Sequence, residues 1–99
     1  MSYEWDERKR ESNIEKHGID FIDADLVFEV DGKVTLNVTR KTDNEVRYAD
    51  FAEVKDQVLK LVYAMRGKIV RCISLRVASQ KERRCYYEAK NEKVFQPGT

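Results

Sequence analysis

The stretch Ile69–Glu88, IVRCISLRVASQKERRCYYE, decides the fold. Apolar and β-branched residues run from Ile69 to Leu75 and Arg76 closes them. Ser79-Gln80-Lys81-Glu82 then has the form of a capping box, in which hydroxyl and carboxylate each satisfy an N–H group left unpaired at a helix start. A strand therefore feeds directly into a helix, and the chain must combine sheet with helix. Arg71, Arg76, Arg83 and Arg84 crowd this junction, with Tyr86 and Tyr87 one turn further on. Backbone N–H groups at a helix start favour anions, so the junction is a candidate place for phosphate.

Moving back along the chain, the turn Arg66-Gly67-Lys68 precedes this strand, and further strands are expected over Gln57–Met65, before it over Glu45–Glu53, and from Lys33, where Val34, Leu36 and Val38 alternate with polar residues. The short turns, Val54-Lys55-Asp56 among them, allow only antiparallel neighbours. Upstream, Asp6 is a good cap for a helix from Glu7 to His17, which Gly18 stops, with Ile14 and Trp5 as its only apolar anchors. Phe21, Ala24, Val27 and Phe28 recur at spacings of three and four, which predicts a second short helix ending before Asp31-Gly32. The predicted fold is thus α+β: two N-terminal helices, a four-stranded antiparallel β-meander and a C-terminal helix near Gln80–Glu92, with a loose tail from Val94. No repeat or linker interrupts it, so residues 1–99 read as one domain.

Lys and Arg number 19 against 18 Asp and Glu, a formal net charge of +1, so no overall basic field points to nucleic acid. Charge is segregated locally: most acids fall in residues 1–31, whereas residues 66–93 hold five Arg and four Lys against three Glu. Cys72 and Cys85 form no CxxC or Cys/His pattern, so free thiols are expected and no metal site or cofactor is indicated. Apolar runs are too short to span a bilayer, and the first ten residues lack the apolar core of a secretion signal. A cytoplasmic protein that does not engage membranes is expected.

The remaining polar residues supply the groups that cleavage of RNA without metal requires. These are a base for the ribose 2′-OH, cations for the charge gathering at phosphorus, and an acid for the departing 5′-oxygen. Glu45 or His17 can serve as base, and Arg47, Arg66, Arg71 and Arg76 as clamp, because Arg binds phosphate oxygens in pairs. Tyr86 or His17 can supply the last proton. Each also has a plainer role. His17 complements a helix C-terminus, Glu45 and Arg47 share the polar face of a strand, Arg66 is a turn residue, Arg83 and Arg84 are solvated, and Tyr86 packs the last helix on the sheet.

Trp5-Asp6, Lys9, Asn13, Lys16-His17-Gly18-Ile19, Phe21, Ala24 and Val27-Phe28 form one signature. Glu45-x-Arg47, Arg66-Gly67, Arg71-x-Ile73-Ser74-x-Arg76-x-Ala78 and Glu82-Arg83-x-x-Tyr86 continue it. Together they resemble the BrnT family of bacterial type II toxins over nearly the whole chain. The resemblance implies a RelE-like ribonuclease that arrests translation, and a BrnA-type antitoxin with a DNA-binding module that neutralises it and represses their shared operon. Functional positions carried over from the family fall among His17, Glu45, Arg47, Arg71 and Arg76, with Lys16 and Tyr86 behind them; the expected RNA contacts are Lys16, Arg66, Arg83 and Tyr86. The chain departs from the pattern at Asp56-Gln57, where a Gly-Arg-like pair is usual, and at Phe51-Ala52, where Ile-Gly is frequent. The clamp loses an Arg there. The alternative function is therefore a catalytically weak module that binds RNA or protein through the same basic face, and a weaker one is a passive subunit of a complex.

Overall fold

The computed structural model describes residues 1–94; the expected loose tail lies, from Phe95 onward, outside the described residues. The elements in chain order are β1 (Ser2–Glu4), α1 (Glu7–His17), a 3-10 turn (Phe21–Asp23), α2 (Asp25–Phe28), β2 (Val34–Asn37), β3 (Tyr48–Val54), β4 (Gln57–Arg66), β5 (Ile69–Val77) and α3 (Gln80–Val94). They form a five-stranded sheet in the order β1-β5-β4-β3-β2. The predicted antiparallel meander is present as β2 to β5. The correction is β1, which adds parallel to β5 with Ser2 opposite Ile69 and makes the sheet mixed. Three residues carry no readable alternation; Tyr3 is fixed instead by packing edge-on to Phe28 and donating its hydroxyl to Glu29.

The second predicted helix is also different. It breaks at Ala24 into a 3-10 turn, capped by Asp20, and a single α-turn. Spacings of three and four satisfy both helix types, and so short a segment gains too little from propagation to stay one regular helix. The face it buries is the predicted one, with Phe21, Ala24 and Val27 withdrawn from solvent and Phe28 partly buried.

Helix α1 begins as read, Asp6 accepting the N–H groups of Arg8 and Lys9, and ends at Gly18 with φ 72°, whose N–H reaches the Ile14 carbonyl. Its anchor is not Ile14, which is 38% exposed, but Asn13, which is 5% exposed. The Asn13 amide donates to the Leu75 carbonyl at 2.7 Å and to the Ile19 carbonyl at 2.9 Å, and its oxygen accepts the Leu75 N–H at 3.1 Å. β1 pairs with β5 only along residues 69–71, so this side chain takes the place of a strand further along that edge. Asn13→Ala leaves buried backbone groups of Leu75 unpaired, an expected cost of about 2 kcal/mol in urea unfolding. A loss below about 0.5 kcal/mol would show that the edge does not need the amide.

Two cores lie on the two faces of the sheet. Phe21, Ala24 and Val27 pack with Leu59, Leu61, Tyr63, Val70, Cys72 and Leu75 on one side. Val34, Ala49, Phe51 and Val58 pack with Ala78 and Tyr86 of the α3 region on the other. Strict alternation would set Leu75 with Ile69, Arg71 and Ile73, opposite Val70 and Cys72. A bulge prevents that: Val62 pairs with Ser74 but Tyr63 pairs with Cys72, so Ile73 is an extra residue and Leu75 returns to the core of Val70 and Cys72. Asp50 is fully buried, taking bonds from Lys33, Thr35 and Tyr63, and so ties the edge strand β2 to β3 and β4.

Candidate functional site

The helix face Lys9, Ser12, Asn13, Lys16 and His17 follows spacings of three and four, and Asn13 holds it against β5. Facing it are Ile73 and Ser74 at the bulge and Arg40 and Arg47 from the connection between β2 and β3. Together they line an open cleft of about 340 Å³. Four cations and one imidazole meet there, and among the described residues no carboxylate lines it.

Glu45 and Arg47, expected on a strand, lie in the connection before β3. That connection is nonetheless ordered. The Val38 N–H donates to the Arg47 carbonyl at 2.9 Å, and the Arg47 N–H donates to the Thr39 hydroxyl at 2.8 Å. Asp43, whose side chain is only 4% exposed, accepts the Arg40 N–H at 2.8 Å and lies 3.4 Å from the guanidinium groups of both Arg40 and Arg47. The Arg40 N–H bond is the main reason that its carboxyl is held below the usual range, against the effect of burial. Backbone and side chain of Arg47 are thus both positioned, while its buried Nε has no partner. A guanidinium held in this way can meet a phosphate with little reorganisation.

The other candidates are distributed elsewhere. Arg71 binds Glu4 of β1 at 2.8 Å, and Arg66 spans Glu4 at 3.7 Å and Glu45 at 3.5 Å, which makes one ion-pair network at the sheet end. Arg71 therefore does not belong to the junction before α3. Arg76 does, but its two terminal nitrogens bind the two oxygens of Glu82 at 2.9 Å each. The capping box forms, the Glu82 N–H reaching the Ser79 hydroxyl and the Ser79 N–H reaching Glu82. The anion expected at this helix start is thus the protein's own carboxylate. Tyr86 is buried in the second core, and Arg83 is exposed on α3. Of the predicted set, Lys16, His17 and Arg47 come together in the cleft, whereas Glu45, Arg66 and Arg71 gather in the separate network at the sheet end.

Sequence reasoning missed Lys9, Ser12 and Arg40 as companions of His17. Lys9, Ser12 and Lys16 were legible from helical spacing, whereas Arg40 required the path of the connection. Cys72 and Cys85 are free, the first buried and pushed up to about 11 by burial, the second exposed. Among the described residues no three His, Cys, Asp or Glu side chains are grouped to hold a metal ion, and no helix is long and apolar enough to cross a membrane.

Residues 5–82, most of the chain and all of the cleft, match the family model described as ribonuclease toxin, BrnT, of type II toxin-antitoxin system. No curated protein matches the chain.

Proposed function

Because the chain belongs to the BrnT family of ribonuclease toxins of type II toxin–antitoxin systems, we propose that it cuts RNA in the cleft between α1 and β5, without metal, through the substrate's own 2′-OH. Membership gives RNA as the substrate class and an antitoxin as the partner. The observation that carries the assignment of the site is the set of four cations around one imidazole, two of them held from behind by Asp43.

In this reading Arg47, with Lys16, Lys9 and Arg40, grips the scissile phosphate and the neighbouring backbone. His17, whose imidazole lines the cleft among these cations, takes the 2′-OH proton as general base. The 2′-oxygen then bonds to phosphorus, the bond to the 5′-oxygen breaks, and that oxygen collects a proton from water at the open mouth of the cleft. A cyclic phosphate and a 5′-hydroxyl result. The partner is a BrnA-type antitoxin that carries a DNA-binding module.

One observation favours the binding-module reading: among the described residues His17 is the only acid–base residue of the cleft besides its lysines, and Glu45 lies outside it, engaged by Arg66. The test is incubation of the purified chain with RNA in EDTA, followed by analysis of fragment ends. Fragments ending in cyclic phosphate are expected. Intact RNA, held with strongly salt-dependent affinity, would instead establish the binding module.

A further inference from the structure

On the face of the sheet that α3 covers, between β2 and α3, lies an apolar groove of about 250 Å³. Val34, Leu36, Val38 and Phe51 line it from the sheet, and Cys85 and Ala89 line it from the helix. We propose that this groove, with the free edge of β2, is the surface on which the antitoxin docks by adding an extended segment beside β2.

The inference rests on the family reading for the existence of an antitoxin, and on the structure for the place and mode of contact. The catalytic cleft is polar and cationic, whereas this groove offers apolar surface of the kind that forms the centre of a protein interface. Val34, Leu36 and Val38 alternate along the chain and all face the groove, while β2 pairs with β3 alone. A strand laid along the free edge of β2 would place its own alternate side chains over the same groove, and its backbone would find donors and acceptors there. Leu36, 49% exposed, is the residue such a strand would cover.

Charge narrows the partner further. Among the described residues, the only carboxylate lining the groove, Glu82, is consumed by Arg76 and Lys60. Lys81 has no ion-pair partner among the described residues. The docking segment therefore carries alternating apolar residues and a carboxylate within reach of Lys81. Because Leu36 lines the groove and not the cleft, docking here and RNA cleavage are separable by mutation.

The test uses the full chain and a purified antitoxin of the BrnA type. Leu36→Lys, at an exposed position outside the cleft, should weaken antitoxin binding roughly tenfold or more and leave RNA cleavage unchanged. Ile22→Lys, the same change at a 61% exposed site on the other face, should leave binding unchanged. Antitoxin should also slow amide exchange along Val34–Asn37. Unchanged affinity of the Leu36 variant, or no slowing along β2, overturns the proposal. A chain that binds antitoxin in this way but cuts no RNA would overturn the ribonuclease reading alone.

Discussion

Arg47→Ala lowers kcat/KM for RNA cleavage by about 10²–10³-fold, the usual loss when one positioned donor to a developing oxyanion is removed. The size follows from how Arg47 is held. Its backbone is fixed by Val38 and Thr39, its guanidinium by Asp43, and its Nε is left without a partner beside the cleft. A freely moving surface arginine would have to be ordered during the reaction and would contribute far less. Arg47→Lys keeps the charge but loses paired contact, so it should fall between wild type and Arg47→Ala. Cleavage within threefold of wild type by Arg47→Ala, from a variant with an unchanged urea midpoint, would remove this residue from the site.

Glu82→Ala costs on the order of 3 kcal/mol, because it leaves the partly buried charges of Lys60 and Arg76 without their shared partner. Lys60 and Arg76 are directly opposite each other on β4 and β5, two like charges on one face of the sheet. Glu82 reaches down from α3 to both, at 2.7 Å and 2.9 Å, and caps its own helix through the Ser79 N–H. Burial by itself would push its carboxyl up, but the bonds from Arg76, Lys60 and Ser79 outweigh it and hold the group at about 2, against an ordinary value of 4.5. A carboxyl depressed on folding stabilises the native state above its unfolded value, and that contribution is lost as pH falls through the folded value. This contribution is therefore whole above about pH 4.5 and disappears toward pH 2. Unfolding midpoints measured at pH 6 and pH 3 should differ less for Glu82→Gln than for wild type. An equal drop in both would mean that Glu82 does not carry the linkage.

Glu82 also shows how far the sequence could be read. The capping box was legible because it is local, three residues apart with fixed chemistry. That its carboxylate would occupy the phosphate place at the helix start was not, since Lys60 comes from another strand and is brought near only by register. The four antiparallel strands were legible from alternation and short turns. β1 was not, because three residues have no period and gain their partner through the free edge of β5. The bulge at Ile73 likewise escaped a reading that assumes unbroken alternation, and with it went the face assigned to Leu75. In the cleft, His17 and Lys16 were visible as neighbours in sequence. The isolation of Glu45, Arg66 and Arg71 in their own network reflects long side chains finding carboxylates across strands, which composition does not encode.

The most direct measurement crosslinks the chain to a photoreactive RNA whose 2′-hydroxyls are methylated, so that it binds without being cut, and maps the attachment sites by mass spectrometry. Attachment should fall on the peptides carrying Lys9–His17 and Arg40–Arg47. Attachment confined to the Arg83–Arg84 segment of α3, with the cleft peptides unmodified, would contradict the placement of RNA between α1 and β5.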